Sequence, residues 1–436
     1  MIMTISNRFI NGRKANLSVV EANWKKGLRL PYPIVFLMLF LSLASESRGQ
    51  FQSRTLDIRY IEPDEESGTS MATVAEDVPL AFTNQVFPWD DNGNLSVSND
   101  LKVQVNQVMN NLESALQAAD TDFSKLLRLN VYLQKKEHAK SVREIIKELL
   151  PKGAFPAITL IVANQAPEQV LVSMDGIAVA PMTSVTSRGV NLPYNKGHFK
   201  KNNRAAVAVL PAGRKVFIAG QAEPGKDLLE ASDKTMQNLF ATLAYIGASA
   251  SDVVQVKAFI NPIEDAAAVE EVIAAFFRGQ QVPPIVMVEW SVEENKAEIE
   301  LVASAPEHYN DKEAVSYYAP PWMIQATTYS RIVDIKEGGL MFTSGLYAEE
   351  GKNEEEKARN LFNTLSRILE KSGSDYDHLV KASYYPSHEK GRESLMKVRT
   401  AFYNPERPPV ASLIRIQGTG REGIYLNVDM VAVVPD

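Results

Sequence analysis

Apolar and polar positions fall into one pattern that is written three times along the chain. Over residues 111–133 (NLESALQAADTDFSKLLRLNVYL) leucines recur at helical spacing, a short polar turn follows, and apolar and polar residues then alternate. A shift of 127 residues lays 238–260 (NLFATLAYIGASASDVVQVKAFI) on the same pattern, and a further 126 lays 364–386 (TLSRILEKSGSDYDHLVKASYYP) on it. Leu112 and Leu116, Leu239 and Leu243, and Leu365 and Leu369 each stand one helical turn apart, so each copy predicts an amphipathic helix. Apolar residues at every second position, such as Val254, Val256 and Ala258, predict the strand after it. A second helix is expected over 141–150, 267–277 and 394–403, stopped by Pro156, by Pro283 and Pro284, and by Pro408 and Pro409. Two closing strands end in IAVAP (177–181), LVASAP (301–306) and MVAVVP (430–435). Ahead of the first helix a pair of strands, read as a hairpin, ends in FTNQ (82–85), FIAGQ (217–221) or FTSGL (342–346).

A period of this size is a whole domain, not a solenoid repeat. The units are placed at 56–182, 183–306 and 307–436, after a polar arm at 50–68, with 183–203 and 307–321 as connectors. Each unit orders as β-β-α-β-α-β-β, an α+β domain with its helices on one face of a mixed sheet. Strands this apolar do not leave the other face bare. The expected cover is the other two units, arranged about a pseudo-threefold axis within one chain.

The N-terminus breaks the pattern. Residues 34–44 (IVFLMLFLSLA) form an apolar run preceded by Lys25, Lys26 and Arg29 and followed by small residues. That is the layout of a secretory signal, and the run is too short for a membrane-spanning helix of about 20 residues. Residues 1–49 are therefore expected to be removed, with cleavage after Ala44 or after Gly49, and the mature protein is expected to be periplasmic or secreted. The length of the lead-in leaves the true start codon open.

Composition narrows the chemistry. The 436 residues are 45% hydrophobic and 23% charged, which excludes a mainly disordered chain and a polytopic membrane protein. No cysteine is present, so disulfides, cysteine-bound zinc, iron–sulfur centres and thiol catalysis are excluded. The net charge is −7, and the body after the basic first 49 residues is more acidic still, which disfavours nucleic acid as a partner. His138, His198, His308, His378 and His388 show no HxH or HExxH spacing, so no metal is expected. No glycine-rich phosphate loop and no GxSxG elbow occur. The expected partner is a small molecule, with no cofactor. Lys200 to Arg204 reads as a solvated linker, and Trp89, Trp290, Trp322, Tyr317 and Tyr318 read as core and seam residues.

Gly220-Gln221 after a strand, the NLFATLAYIGA helix, AFF (275–277), FPA (155–157) and the AEIELVA tail (297–303) resemble the RidA (YjgF-like) family. The resemblance runs end to end through all three units and implies the RidA, chorismate-mutase-like fold. Family members are homotrimers with clefts between subunits, and they hydrolyse reactive enamines and imines to keto acids and ammonia without a cofactor. Three joined copies then imply a ring closed within one chain, a monomer.

The resemblance also implies where the chemistry sits. The arginine that holds the substrate carboxylate falls on Ile158, Ile285 and Ala411, aliphatic in all three units. The water-positioning glutamate falls on Ser173, Glu298 and Asn427, so only the second unit keeps an acid. Two positions further along that strand stand Asp175, Glu300 and Asp429, read either as carboxylates lining a cleft or the axis, or as acids paired with basic neighbours. Arg415, four residues after Ala411, is a candidate replacement cation or an ordinary surface arginine. The leading expectation is a degenerate deaminase fold that binds a small apolar or aromatic ligand in an inter-unit cleft. Its rivals are a deaminase working at one surviving cleft with Glu298 as base, and a purely structural or partner-binding ring.

Overall fold

A computed structural model describes residues 57–435 apart from 91, 96–97, 183–202, 293, 295 and 306–312. The expected signal, the start of the arm, nearly all of the connector 183–203 and the first part of 307–321 lie outside the described residues, and the rest of 307–321 holds the strand Val315–Tyr318. The first unit contains β1 (Arg59–Asp64), β2 (Thr69–Ala75), β3 (Leu80–Thr83), α1 (Leu101–Gln117), β4 (Leu126–Leu133), α2 (Ala139–Leu149), β5 (Ala157–Val162) and β6 (Val172–Val179). The second contains β7 (Val207–Leu210), β8 (Lys215–Gln221), α3 (Leu228–Tyr245), β9 (Val253–Asn261), α4 (Ala266–Ala275), β10 (Ile285–Glu289) and β11 (Lys296–Ser304). The third contains β12 (Val315–Tyr318), β13 (Ile332–Ile335), β14 (Gly339–Thr343), β15 (Leu346–Tyr347), α5 (Glu354–Ser372), β16 (Leu379–Pro386), α6 (Glu389–Val398), β17 (Val410–Leu413) and β18 (Leu426–Val434).

The long helices start where the sequence supplies a cap. Asp100, Asp227 and Asn353 each accept a hydrogen bond from a backbone N–H in the first turn of α1, α3 and α5. Glu354, Glu355 and Glu356 add negative charge at the positive end of α5, and Gly373 closes it in the left-handed conformation at φ 77°. The second helices carry the chain back, so β5, β10 and β17 run parallel to β4, β9 and β16.

The two strands immediately ahead of each long helix were expected to pair as a hairpin, and they do not: β2 and β3, β7 and β8, and β13 and β14 lie in different pairings, whereas β1 pairs with β2 and β12 with β13. β7 of the second unit pairs with β3 of the first, and β13 of the third pairs with β8 of the second. β2 of the first unit pairs with β14 of the third. The second unit thus places one strand, β7, in the sheet of the first, the third places β12 and β13 in the sheet of the second, and the first places β1 and β2 in the sheet of the third, so the exchange is a closed cycle. The physical reason is burial. β7 and β13 are buried along their whole length, and each completes a sheet edge while covering apolar side chains of two units.

Helices cover one face of each sheet over separate cores, such as Leu112, Leu129 and Met174 in the first unit. The opposite faces meet in a core shared by all three units, with Phe82, Phe217 and Phe342 at matching positions. Burial of each such side chain stabilises the fold by roughly 1.5–3 kcal/mol. A second shared core holds Tyr132, Phe259 and Tyr385 together with Ile161, Val288 and Ile414. Among the described residues no helix is long and apolar enough to cross a membrane.

Candidate functional site

Between the two shared cores lies a polar layer. Strand alternation turns Arg128, Asn130 and Tyr132 of β4 the same way, with Gln255, Lys257 and Phe259 matching them on β9 and Lys381, Ser383 and Tyr385 on β16. Opposite them stand Asp175, Glu300 and Asp429, all buried. Asp429 accepts from Arg128 of the first unit at 3.1 Å. Glu300 pairs with Lys381 and accepts from Ser412 Oγ at 2.7 Å, both from the third unit. Asp175 accepts from Asn130 at 2.8 Å and from the Tyr132 hydroxyl at 2.5 Å.

The third cation, Lys257 of the second unit, sits over the rings of Tyr132 and Phe259 at 5.5 and 5.6 Å. Desolvation pulls the Lys257 pKa down, and the Asp175 charge partly restores it. Here Gln255 occupies the place of Arg128 and Lys381, and the cation has moved two residues along the strand. These groups surround a cavity of only about 30 Å³, enough for a water molecule and too small for an organic substrate. Asp429 and Glu300 thus form ion pairs between units, while Asp175 is held by hydrogen bonds within the first unit.

The clefts lie at the three seams, and each brings together one flagged aliphatic residue and one flagged acid position. At the first, Ile285 of β10 faces Ser173 of β6. Gln85 stands where the other two units have Gly220 and Gly345. Gln85 donates to Ser173 Oγ at 2.8 Å and accepts from the Met287 backbone N–H at 2.8 Å. Ser173 in turn donates to Gln165 Oε1 at 2.7 Å, so the floor of this cleft is closed by side-chain amides. Outside the floor an open cavity of about 700 Å³ remains, lined by Phe87, Trp89, Ile285 and Met287 with Glu168 and Glu264 among its polar walls. Arg204, expected in a solvated linker, is instead buried at this cavity, because it pairs with Glu270 and, at 2.8 Å, with Glu271.

At the third cleft Ile158 of β5 meets Asn427 of β18. Ser344 Oγ accepts from the Ile158 N–H at 2.8 Å, and Asn427 donates to the Leu160 carbonyl at 3.2 Å. The flagged acid position is thus an amide here. A cavity of about 380 Å³ on the α5 side is lined by Met71, Gly345 and Tyr347 with Glu349, Glu350, Arg367 and Arg421 among its polar walls.

The second cleft differs. Ala411 of β17 is half-buried against the core of the third unit, and Glu298 of β11 lies against the bare backbone of Gly220. A Cβ on Gly220 would sit 2.7 Å from the Glu298 carboxyl carbon and 2.6 Å from Ser412 Oγ. Glu298 as a residue is partly exposed, yet its carboxyl is packed against protein, and desolvation raises its pKa to about 8 against the opposing effect of a Ser412 hydrogen bond. The Glu300 charge adds to the rise, and Arg331 and Lys381 oppose it. Burial thus shifts Glu298 toward its protonated form.

Arg415 is exposed, its carbonyl accepts from Ser291 N–H at 2.8 Å, and its charge falls on Glu389. Trp322 is 54% exposed and meets Tyr245 edge-on, whereas Trp290 packs on the second shared core. Among the described residues no group of three His, Asp or Glu side chains is placed to hold a metal. Sequence reasoning missed Arg128, Lys257, Lys381, Ser412 and Arg331. The loss of glycine at Gln85 was readable by laying FTNQ on FIAGQ and FTSGL.

Three units of one α+β design, with an inter-unit cleft at each seam, define the class. The family model described as endoribonuclease L-PSP matches residues 74–180, 201–306 and 323–434, well over half of the chain. The chain belongs to this family, that of RidA and YjgF, as three tandem copies. Solved structures similar to it include a YjgF-family protein from Neisseria meningitidis, 22% identical, covering 28% of this chain and 96% of that one, with a TM-score of 0.22. Another is a Rid-family protein of unknown function from Yersinia pestis, 21% identical, covering 28% of this chain and 100% of that one, with a TM-score of 0.23. No curated protein matches the chain.

Proposed function

We propose that this protein is a cofactor-free hydrolase of imines and enamines that works at the second of its three clefts. The observation that carries this reading is the Glu298 carboxyl, set against Gly220 and Ser412 and pushed by burial toward its protonated form, where the other two clefts have Ser173 and Asn427. A neutral carboxyl beside a substrate nitrogen can give it a proton, turning an imine into the more electrophilic iminium. For an enamine the proton goes to carbon, with the same product. The carboxylate so formed is then the base that takes a proton from the attacking water. Collapse of the adduct releases ammonia and leaves a carbonyl. Gly220 matters because any side chain there would push the carboxyl aside.

Under this reading the first and third clefts are degenerate. The 700 Å³ cavity of the first cleft supports a second role for that seam alone, binding of a small apolar or aromatic ligand against Phe87, Trp89 and Met287. The export signal read in residues 34–44 would place both roles in the periplasm or outside the cell. Ammonia release from freshly generated 2-aminoacrylate, measured above the spontaneous rate with Glu298→Gln alongside, tests the reading. Acceleration lost in the variant is the expected result, and no acceleration on any imine would overturn it.

A further inference from the structure

Most polar groups around the first cleft are already engaged within the protein. Five amide side chains line its cavity of about 700 Å³. Asn84 donates to the Gln85 carbonyl at 2.8 Å, Gln85 to Ser173 Oγ at 2.8 Å, and Gln134 to the Glu168 carbonyl at 2.7 Å. Asn164 donates to Glu289 at 2.6 Å, and Gln165 to the Ala163 carbonyl at 3.1 Å. The cation on the wall, Arg204, is held by Glu270 and Glu271.

What remains for a ligand is of one kind. Glu168 and Glu264 line the cavity and are exposed, and among the described residues neither carboxylate has a hydrogen-bond or ion-pair partner. Glu168 comes from the loop between β5 and β6 of the first unit, and Glu264 from the turn between β9 and α4 of the second. The two units of this seam thus contribute one carboxylate each. The amide oxygens of Gln134 and Asn164 are likewise without a donor among the described residues. The cavity therefore offers acceptors and negative charge. An anionic ligand would be repelled there, and a neutral one would leave the carboxylates unanswered.

The apolar wall suits the same ligand. Phe87 and Trp89 stand in tilted ring contact at 5.9 Å. Asn111 of α1 donates to both of their carbonyls, at 2.8 and 2.9 Å, which fixes the loop that carries them. Aromatic side chains attract an ammonium as well as an apolar body, and a wall already in place loses little freedom on binding.

We propose that the first cleft binds an organic cation, a primary amine joined to an aromatic group, and that Glu168 and Glu264 select its charge. This rests on the ligand-binding role proposed above for that seam and is independent of hydrolysis at the second cleft. An ammonium brings only donors to a site whose open groups are acceptors. The exposed glutamates hold the charge at the mouth, and the aromatic body lies inward against Phe87, Trp89 and Met287, above the floor closed by Gln85, Ser173 and Gln165.

Calorimetry on the full chain at pH 7 compares probes of similar size, 2-phenylethylammonium, 2-phenylethanol and 3-phenylpropanoate. We expect the amine to bind at least about tenfold tighter than the alcohol, and the carboxylate most weakly. Glu168→Gln combined with Glu264→Gln should bring the amine within about twofold of the alcohol and leave the alcohol within about twofold of its original affinity. Added salt should weaken the amine alone. Thermal melts check that the variant folds. Equal affinities for amine and alcohol in the unaltered chain overturn the proposal and leave the apolar-ligand role of the seam in place. An amine preference that survives both substitutions overturns the assignment to the two glutamates. If none of the probes binds, the proposal and that role fall together, whatever ammonia release at the second cleft shows.

Discussion

Arg128 of the first unit donates to Asp429 of the third at 3.1 Å, a buried pair joining residues 301 apart in sequence. The same guanidinium donates to the carbonyls of Thr343 and Met430 at 2.9 and 2.8 Å. One side chain therefore satisfies three acceptors on the far end of the chain. Removing it leaves a carboxylate and two carbonyls without their partner.

Arg128→Met is expected to destabilise the protein by about 3–5 kcal/mol, the usual cost of stranding one member of a buried pair. Arg128→Met combined with Asp429→Leu should recover much of that loss, because no buried charge is left alone. Urea unfolding of the two variants beside the unaltered chain measures both changes.

Glu298 sets the pH dependence of the proposed reaction. Its protonated form starts the chemistry, so kcat/KM for a neutral imine should fall as pH rises through about 8. Stability follows the same sign. A folded pKa raised from 4.5 to about 8 favours the folded state fully below 4.5, and that contribution is lost progressively as pH rises to about 8. Glu298→Gln has no such titration, so it should gain in melting temperature relative to the unaltered chain between pH 5 and pH 9. Melts across that range, with rate profiles, read out both effects.

Gly220→Ala and Gly345→Ala make a matched pair. In the first the new methyl would meet the Glu298 carboxyl carbon at 2.7 Å, and in the second the Asn427 Oδ1 at 2.7 Å. Only the first displaces an acid. Gly220→Ala should lower kcat/KM at least about tenfold, whereas Gly345→Ala should leave it within about twofold. Initial rates of ammonia release, with circular dichroism to confirm folding, distinguish them.

Deleting residues 57–75 removes β1 and β2, and with them Ile61, Ala72 and Val74 from the helix-side core of the third unit. It also bares the edge of β14 at the opposite end of the chain. The truncated protein is expected to associate more than the unaltered chain, by aggregation or by pairing β14 with another copy. Size-exclusion chromatography with light scattering gives the answer.

How much of this was readable in the sequence depends on how local the cause is. The triplication and the order of helices and strands follow from residues a few positions apart. Alternation at Val207 or Ile332 predicts a half-buried strand but says nothing of its partner, so the exchange between units stayed hidden. Glu298 was reachable by aligning the units. Arg331 was not, because its closeness to Ala411 arises through the Ser330–Val410 bridge between strands that are 80 residues apart in sequence. The acids Asp175, Glu300 and Asp429 were visible as a set, while their cations were not, since Lys257 is displaced by two residues from the positions of Arg128 and Lys381.

The cyclic exchange of strands has a consequence for inheritance. In an assembly of three identical chains, any change to a cleft is written three times, and a change that ruins catalysis ruins every site at once. Here each seam is encoded separately, by its own stretch of gene. Gln85 stands at one seam and Asn427 at another while Glu298 and Gly220 stand at the third, so a substitution at one seam leaves the residues of the other two unchanged.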